Sequence, residues 1–399
     1  MTYIHDEVKR IKAEGTPMCH FLYDLDALKK HVTYVTQSLP DNCEMYYAMK
    51  ANSEYRILET LADVVAGFEV ASHGEIKKAL AHKSAQRVIF GGPGKTDDEL
   101  RYAVEQGVQR IHVESIHELR RLNAIAEAHQ HVMHILLRVN LAGPFPNATL
   151  HMAGRPTQFG ITEEEVDDVL ALALSMPHIH VDGFHFHSIS NNLDSQLHVD
   201  VMRLYFQKAK QWSTAHSFEL QHINVGGGIG VNYADLDAQF EWDTFVSGLK
   251  RVIDEEDMHD VTLNFECGRY LVAHIGYYAT EVIDIKHVHG AWYAILKGGT
   301  QHFRLPVSWQ HNHPFDVCHI EANPYPFDRQ HITETAVTLV GQLCTPKDVF
   351  AKESVLSELR TGDVIVFKYA GAYGWSISHH DFLSHDHPTF VYLSESKGE

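Results

Sequence analysis

The first two-thirds of the chain alternates short apolar runs with longer amphipathic segments. Short runs rich in β-branched and aromatic residues predict strands, and apolar residues repeated every three or four positions predict helices. The runs that predict strands are Met45–Ala48, Gly67–Ala71, Arg87–Phe90, Arg110–Glu114, His134–Asn140, His180–His187, His222–Val225 and Val261–Glu266. The segments that predict helices include Asp97–Gln106, Ile116–Ala128, Glu163–Met176 and Ser195–Thr214. Eight strands alternating with helices over about 230 residues predict an α/β fold, a (β/α)8 TIM barrel rather than an open doubly wound sheet.

The pattern changes after Leu271. The later apolar runs are separated by turns and show little helical periodicity, and they are Tyr278–Ile285, Ala291–Leu296, Val337–Gly341 and Val364–Tyr369. They predict a C-terminal all-β domain, a β-barrel or sandwich. The earlier run Cys19–Tyr23 precedes the first barrel strand, so it could join this β domain. We therefore predict a barrel domain over residues 27–274 and a β domain formed by residues 1–26 together with 275–399.

Composition and charge restrict the partners of the protein. The 399 residues are 44% hydrophobic and 21% charged, as in ordinary globular proteins. With 33 Lys and Arg against 52 Asp and Glu, the net charge of −19 argues against nucleic acid and anionic membranes as partners. We find no signal peptide and no apolar run of the roughly 18 residues that span a bilayer. The five cysteines have neither metal-ligand nor disulfide spacing, which favours a reducing cytoplasm and no bound metal.

Residues capable of chemistry follow several of the predicted barrel strands. Lys50 follows the first strand, His187 ends the sixth, Gly226–Gly228 follow the seventh, and Glu266 and Arg269 end the eighth. Barrel enzymes build their active sites at the C-terminal ends of the strands. We therefore expect these residues, which are far apart in sequence, to meet at one end of the barrel.

The glycines and the lysine each have an ordinary and a functional interpretation. Gly226–Gly228 could be a flexible turn, but glycines after the seventh barrel strand also let backbone N–H groups approach a phosphate. A lysine at a strand end is usually solvated or ion-paired. Lys50, however, follows a strand that should be buried, and desolvation would lower the pKa of its ammonium and favour a Schiff base.

Glu266 and His187 also have both an ordinary structural interpretation and a functional one. A glutamate inside a barrel is costly without a cationic partner, which could be Arg269 or a protonated pyridine nitrogen. In the second case the carboxylate would keep a cofactor ring positively charged and able to accept electrons. His187 could be a buried histidine with satisfied hydrogen bonds, or it could lie flat on a cofactor ring.

Six motifs resemble those of the alanine-racemase-fold (fold type III) decarboxylases that act on ornithine, arginine or diaminopimelate. The motifs are Tyr47–Asn52, His187–Ser190, Gly226–Gly228, Glu266–Arg269, Cys344–Asp348 and Gly371–Gly374. The resemblance covers nearly the whole chain, and the motifs occur in the family's order. It implies a barrel with a C-terminal β domain, pyridoxal 5'-phosphate as cofactor, and a homodimer whose active sites are shared across the interface.

The same resemblance implies roles for individual residues. Lys50 would carry the cofactor covalently, His187 would stack on its ring, and Glu266 would hold its pyridine nitrogen. The remaining cofactor contacts would come from Ser190, Gly226, Gly227, Gly228, Gly268, Arg269 and Tyr373. The catalytic residues would be Lys50 and Cys344, whose thiol would act across the dimer interface.

One departure from the family pattern concerns the substrate. Decarboxylases of basic amino acids usually carry an acidic residue after the cysteine, where this chain has Thr345. An anionic or neutral substrate tail therefore fits better than a cationic one. Four segments resemble a siderophore branch of the family, the decarboxylases of staphyloferrin B biosynthesis: Leu141–Arg155, Phe184–Asn192, Gly298–Pro306 and Trp375–Phe382.

The siderophore branch implies a substrate of citrate joined to 2,3-diaminopropionate, which is decarboxylated to citryl-diaminoethane. We expect Arg155 and Arg304 to bind the citryl carboxylates, because arginine pairs bidentately with such groups, and Thr345 to lie near the tail. Three alternatives stay open: a decarboxylase of diaminopimelate or ornithine, an amino-acid racemase, and a non-catalytic regulator that binds the cofactor. Racemases usually place arginine at the pyridine nitrogen, so Glu266 argues against the second. The presence of Lys50, Cys344 and a second domain argues against the third.

Overall fold

The computed structural model describes residues 2–15, 17–143, 156–323 and 325–394. It divides into two compact units. The β unit comprises Met1–Ala27, Tyr233–Leu236 and Val272–Glu399, and the barrel unit comprises Leu28–Asn232 and Asp237–Leu271.

The barrel unit contains a closed parallel sheet. Its strands are β2 (Cys43–Ala48), β3 (Gly67–Val70), β4 (Val88–Phe90), β5 (Arg110–Val113), β6 (Met133–Asn140), β7 (Ile161–Thr162), β8 (Ile179–Phe186), β9 (His222–Asn224) and β10 (Thr262–Cys267). The strand order is β5-β4-β3-β2-β10-β9-β8-β6, and β6 pairs with β5 to close the ring of eight within the described residues. The short strand β7 pairs with β6 outside the ring. The predicted TIM barrel is confirmed, with strand ends within two residues of those expected.

Helices alternate with these strands along the chain. They are α2 (Leu25–Ser38), α3 (Tyr55–Ala62), α4 (His73–Leu80), α5 (Asp97–Gln106), α6 (Ile116–Ala128), α7 (Val166–Leu174), α8 (Ser195–His216), α9 (Trp242–Glu255) and α10 (Arg269–Val272). Helix α5 shows how the local sequence sets such bounds. Thr96 and Glu99 form a reciprocal capping box at its start, and Gly107 ends it with a φ of 69°. Its apolar side, which includes Leu100 and Val104, is buried.

The β unit is built on a mixed sheet. Its strands are β1 (Cys19–Asp24), β11 (Gly276–Val288), β12 (Ala291–Leu296), β13 (Phe315–Cys318), β14 (His331–Val340), β15 (Val349–Arg360), β16 (Val364–Phe367) and β17 (Thr389–Leu393). The main order is β13-β16-β11-β12-β14-β15, and β1 pairs with β11 and β17. The expectation that Cys19–Tyr23 joins this sheet is therefore confirmed. The unit also contains helices α1 (Thr2–Ala13) and α11 (Leu305–Trp309).

Helix α1 was not predicted from the sequence. It buries Ile4, Val8 and Ile11, which pack in one cluster with Leu22 and Val364. The spacing of four and then three residues between these apolar positions is a helical signal. None of the helices in the described part of the chain combines the length and the apolar character that crossing a bilayer requires.

Candidate active site

Lys50 lies in a tight turn directly after β2. Strand β2 is buried from Met45 onward, and the Tyr47 hydroxyl donates to the Asn52 carbonyl at 2.8 Å across the turn. Lys50 Nζ lies 3.7 Å from Glu69 Oε2 on β3. The Lys50 side chain is 48% exposed, so the expected desolvation of its ammonium is wrong. The buried partner of this pair is Glu69, whose side chain is 6% exposed.

The glycine turn follows β9 and is packed against its neighbours. Gly226 and Gly228 have φ angles of 70° and 88°, a region that favours glycine. A Cβ at Gly226, Gly227 or Gly228 would lie 2.4–2.6 Å from the carbonyl oxygens of Phe186, Glu266 and Ile189 respectively. The turn therefore requires all three glycines on steric grounds. It is a closely packed segment rather than the flexible turn that we considered.

His187 lies directly after β8 and contacts the glycine turn. The Gly227 N–H donates to His187 Nδ1 at 3.2 Å, which leaves the proton of the neutral ring on Nε2. Burial, and then the Lys50 ammonium, lower the pKa of His187 well below its ordinary value. His187 is therefore a neutral imidazole that contacts the glycine turn and feels the charge of Lys50.

Glu266 points into the barrel from β10 and is 7% exposed. Asn224 Nδ2 donates to its Oε1 at 2.7 Å. His112 Nδ1 lies 3.4 Å from Oε1, and His185 Nε2 lies 3.2 Å from Oε2. Strands β10 and β2 pair so that the end of β10 adjoins the Lys50 turn, where a Cβ at Gly268 would lie 2.9 Å from Ala51 Cβ.

A second acid, Glu69, shares this end of the barrel. Burial raises the pKa of Glu69, the Lys50 ammonium opposes the shift, and the Glu266 carboxylate adds to it. Glu69, His112, His185 and Asn224 were not predicted from the sequence. The available signal was a polar residue inside a run that predicts a buried parallel strand, because such strands are normally almost continuously apolar.

The remaining predicted site residues lie in several places. Ser190 is in the segment beside the glycine turn, where the Asn192 N–H donates to the Gly228 carbonyl at 2.8 Å. Arg269 is partly buried at the start of α10. The other residues belong to the β unit or, in the case of Arg155, lie outside the described residues: Cys344, Thr345, Arg304, Tyr373 and Arg155. The barrel unit thus brings together Lys50, His187, Ser190, the glycine turn and Glu266.

Within the β unit, Cys344 is exposed and Thr345 is partly buried in the loop between β14 and β15. The buried Asp348 anchors this loop, because its carboxylate accepts N–H groups from Thr300 at 2.7 Å and Leu343 at 2.8 Å. Arg304 is exposed, and Tyr373 has a φ of 53° in the loop after β16.

Comparison with known proteins gives a consistent family. Residues 25–273 match the family model described as pyridoxal-dependent decarboxylase, pyridoxal binding domain. The 2-[(L-alanin-3-ylcarbamoyl)methyl]-2-hydroxybutanedioate decarboxylase of Staphylococcus aureus (strain NCTC 8325 / PS 47) is 69% identical, covering 100% of this chain and 99% of that protein. A diaminopimelate decarboxylase of Vibrio cholerae serotype O1 is 31% identical, covering 91% and 84%. The structure of Helicobacter pylori diaminopimelate decarboxylase complexed with L-lysine has a TM-score of 0.85 and 27% identity, covering 97% and 94%.

The residues of the barrel unit fit the cofactor of this family. Pyridoxal phosphate requires a lysine amine, an acid for its ring nitrogen and donors for its phosphate. Lys50, Glu266 and the N–H groups of the glycine turn have this chemistry. Glu266 faces Asn224 and two histidines whose pKa values burial lowers well below the ordinary value, so none of the three is a cation at neutral pH. A protonated ring nitrogen would supply the positive charge that such a buried carboxylate needs. The chain belongs to the pyridoxal-dependent decarboxylases, and its cofactor is pyridoxal 5'-phosphate.

Proposed function

We propose that this decarboxylase acts on 2-[(L-alanin-3-ylcarbamoyl)methyl]-2-hydroxybutanedioate, the compound in the name of the S. aureus relative. The observation that carries the proposal is 69% identity over the whole chain, against 31% for the diaminopimelate decarboxylase of V. cholerae. The compound is a citrate amide of 2,3-diaminopropionate. Its α-carboxylate would leave as CO2 and a proton would take its place, giving citryl-diaminoethane for the biosynthesis of the siderophore staphyloferrin B, and thus for iron acquisition.

The charge of the substrate tail supports this choice. The proposed substrate carries a hydroxyl and two carboxylates at the end remote from the reacting carbon. Thr345, which follows Cys344, is neutral and partly buried, whereas a basic amino acid would require a counterion for its distal ammonium. We assign the tail carboxylates to Arg304, which is exposed, and to Arg155, because guanidinium groups pair bidentately with carboxylates.

The residues of the chain would have the following roles in the reaction. When bound, the cofactor supplies an electron sink for the pair left behind by the departing carboxylate. Lys50 would hold the cofactor covalently, Glu266 would keep a proton on its ring nitrogen, and His187 would lie against its ring. Ser190, the three glycines of the turn, Gly268, Arg269 and Tyr373 would complete the cofactor contacts. Either the Lys50 ammonium or the Cys344 thiol would deliver the proton to the α-carbon.

The proposal includes a homodimer in which Cys344 of one chain serves the active site of the other. It also places the domain boundary near residues 27 and 274, with residues 1–26 and 275–399 forming the β domain. A cytoplasmic location agrees with five free cysteines, of which Cys344 is exposed.

Mass spectrometry of the products from a substrate panel tests the function. The panel contains the citrate amide, diaminopimelate, ornithine and lysine, each incubated with the holoenzyme and with a Lys50→Ala control. We expect loss of CO2 from the citrate amide at least about a hundredfold faster than from the others, a difference of about 2.7 kcal/mol in activation free energy. Faster turnover of diaminopimelate or ornithine would contradict the substrate. Interconversion of enantiomers without release of CO2 would contradict decarboxylation.

A further inference from the structure

Two fully buried histidines surround Glu266. His112 on β5 is 0% exposed and His185 on β8 is 3% exposed, and their ring centroids are 4.1 Å apart. All four of their ring nitrogens lack a hydrogen bond with favourable geometry among the residues that the structure describes. Buried polar atoms are normally satisfied, so four unsatisfied nitrogens at one place require an explanation.

Both histidines are neutral at physiological pH. Burial lowers the pKa of each well below its ordinary value, and neighbouring positive groups lower it further. A neutral imidazole has one N–H to donate. The nitrogens nearest to Glu266 are already at 3.2 Å (His185) and 3.4 Å (His112), so a small rotation of either ring would complete a hydrogen bond to the carboxylate.

A metal ion is the first competing explanation, because ligand atoms of His112, His185 and Glu266 lie within 4.8 Å of one another. Two points favour hydrogen bonding over metal binding. Glu266 Oε1 already accepts a hydrogen bond from Asn224. The proposed function also assigns the Glu266 carboxylate to the ring nitrogen of the cofactor, so it would not serve a metal ion in the holoenzyme.

We propose that His112 and His185 are positioning residues that act on the cofactor through Glu266. Their N–H groups, together with the Asn224 amide, hold the carboxylate ionised and fix its direction. A carboxylate that accepts two or three N–H groups gives up its proton readily, so the proton stays on the ring nitrogen of the bound cofactor. This inference rests on the proposed role of Glu266. The inference adds that residues of β5, β8 and β9 help to keep the cofactor ring able to accept electrons, without contacting the substrate.

The test is nitrogen NMR of the holoenzyme reconstituted with pyridoxal phosphate carrying 15N in its ring. In the unaltered enzyme we expect the chemical shift of a protonated ring nitrogen. The paired substitutions His112→Leu and His185→Leu remove both donors at similar volume, and they should move the shift toward the unprotonated value. They should also lower kcat about tenfold or more, the equivalent of one pKa unit at the ring nitrogen. His112→Gln with His185→Gln keeps two N–H donors and should restore the protonated signal.

His222→Leu is the matched control, since it removes a barrel histidine that contacts Arg110 Nη2 at 3.0 Å rather than Glu266. It should leave the nitrogen signal unchanged. A protonated signal in the folded double Leu variant would overturn the proposal. An unprotonated signal in the double Gln variant would also overturn the proposal. The double Gln variant therefore keeps the proposal testable if the Leu pair fails to fold. Binding of one Zn²⁺ per holoenzyme chain that the Leu pair abolishes would make the cluster a metal site instead. Glu266→Gln tests the proposed role of Glu266 separately from the role of the two histidines. A protonated signal in that variant would refute the role of Glu266 itself.

Discussion

The barrel interior contains two polar layers that treat buried charge in opposite ways. The same strands supply both, since Arg110 and His112 are two residues apart on β5, and Asn264 and Glu266 are two residues apart on β10. In the layer at the N-terminal ends, Asp182 accepts from Arg110 Nε at 2.9 Å and contacts His134 Nδ1 at 2.8 Å. In the layer at the C-terminal ends, Glu266 faces two histidines whose ring nitrogens lack well-formed hydrogen bonds within the described chain.

The acids of the two layers differ accordingly. Burial raises the pKa of Asp182, but the hydrogen bond and charge of His134 and the charge of Arg110 outweigh it, so the net shift is downward. The effect of burial on Glu69 is only partly offset by Lys50, and the pKa of Glu69 is raised. The first layer is neutralised by the protein alone, as a structural network should be. The second layer needs a ligand to complete it, which agrees with the general position of active sites in barrels.

Lys50→Ala should produce the largest effect, and only in the second layer. We expect kcat to fall at least about a thousandfold, because the covalent attachment and a proton carrier are lost together. The visible absorption of the bound cofactor that borohydride bleaches should disappear, while the thermal unfolding midpoint of the cofactor-free protein stays within a few degrees. Lys77→Ala, at an exposed lysine of α4, is the control. Persistence of the absorption in Lys50→Ala would contradict the assignment.

Arg110→Met should lower stability and leave the cofactor absorption unchanged, which is the reverse of the effect of Lys50→Ala. Removing one partner of a buried ion pair leaves Asp182 without its guanidinium, which typically costs about 3–5 kcal/mol of unfolding free energy. Urea unfolding of the cofactor-free protein measures this loss. The folded fraction should keep the cofactor absorption of the unaltered enzyme. A stable variant with altered absorption would show that the two layers are not separable.

One histidine in each layer should also respond to pH, and the two responses have opposite signs. His185 has a lowered pKa in the folded state, so its contribution to stability is present above about pH 6.5, the value of an unperturbed histidine, and is lost as the pH falls. The hydrogen bond to Asp182 raises the pKa of His134, so its contribution is present below about pH 6.5 and is lost as the pH rises through the folded value.

Urea titrations of the cofactor-free protein between pH 5.5 and 8 check these signs. His185→Gln should reduce the loss of stability on the acid side, and His134→Gln should reduce the loss on the alkaline side. The second change should be the smaller one, since the His134 side chain is 49% exposed and solvent weakens its interaction. If His134→Gln instead reduced the loss of stability at acid pH, the sign predicted for His134 would be wrong.

His180→Gln should have the smallest effect. Its Nδ1 lies 3.0 Å from Asp182, but the side chain is 46% exposed, and exposed pairs of this kind contribute about 0–1 kcal/mol. We expect an unfolding free energy within about 1 kcal/mol of the unaltered protein and an unchanged cofactor spectrum. A larger loss than in Arg110→Met would mean that the network is centred on the histidines instead.

The sequence predicted the barrel because each strand carries its own local signal of apolar, β-branched residues between helices. It also predicted α5, whose ends are marked by Thr96 and Gly107. The sequence did not predict β15, which lies at the end of the main strand order, because exposed residues such as Lys352, Glu353 and Val355 interrupt it and no apolar run marks it. Strand β15 is recognised by its pairing with β14, and such pairing is not a local property of the sequence.

The site divides in the same way. Lys50, His187, the glycines and Glu266 could be found because each follows or ends a predicted strand or belongs to a motif. Glu69, His112 and His185 lie inside strands, where a polar residue first looks like an irregularity of the pattern. Only contacts across the closed sheet bring them together: His112 and His185 lie 3.4 and 3.2 Å from Glu266, and Glu69 interacts with Glu266 electrostatically.

The attachment point of the cofactor tests the central claim most directly. The holoenzyme is reduced with borohydride and digested, and the peptide that carries the pyridoxyl phosphate group is sequenced by mass spectrometry. We predict that the group is on Lys50, beside Glu69 at the C-terminal ends of the strands. Attachment to another lysine, such as the buried Lys95, would contradict the account.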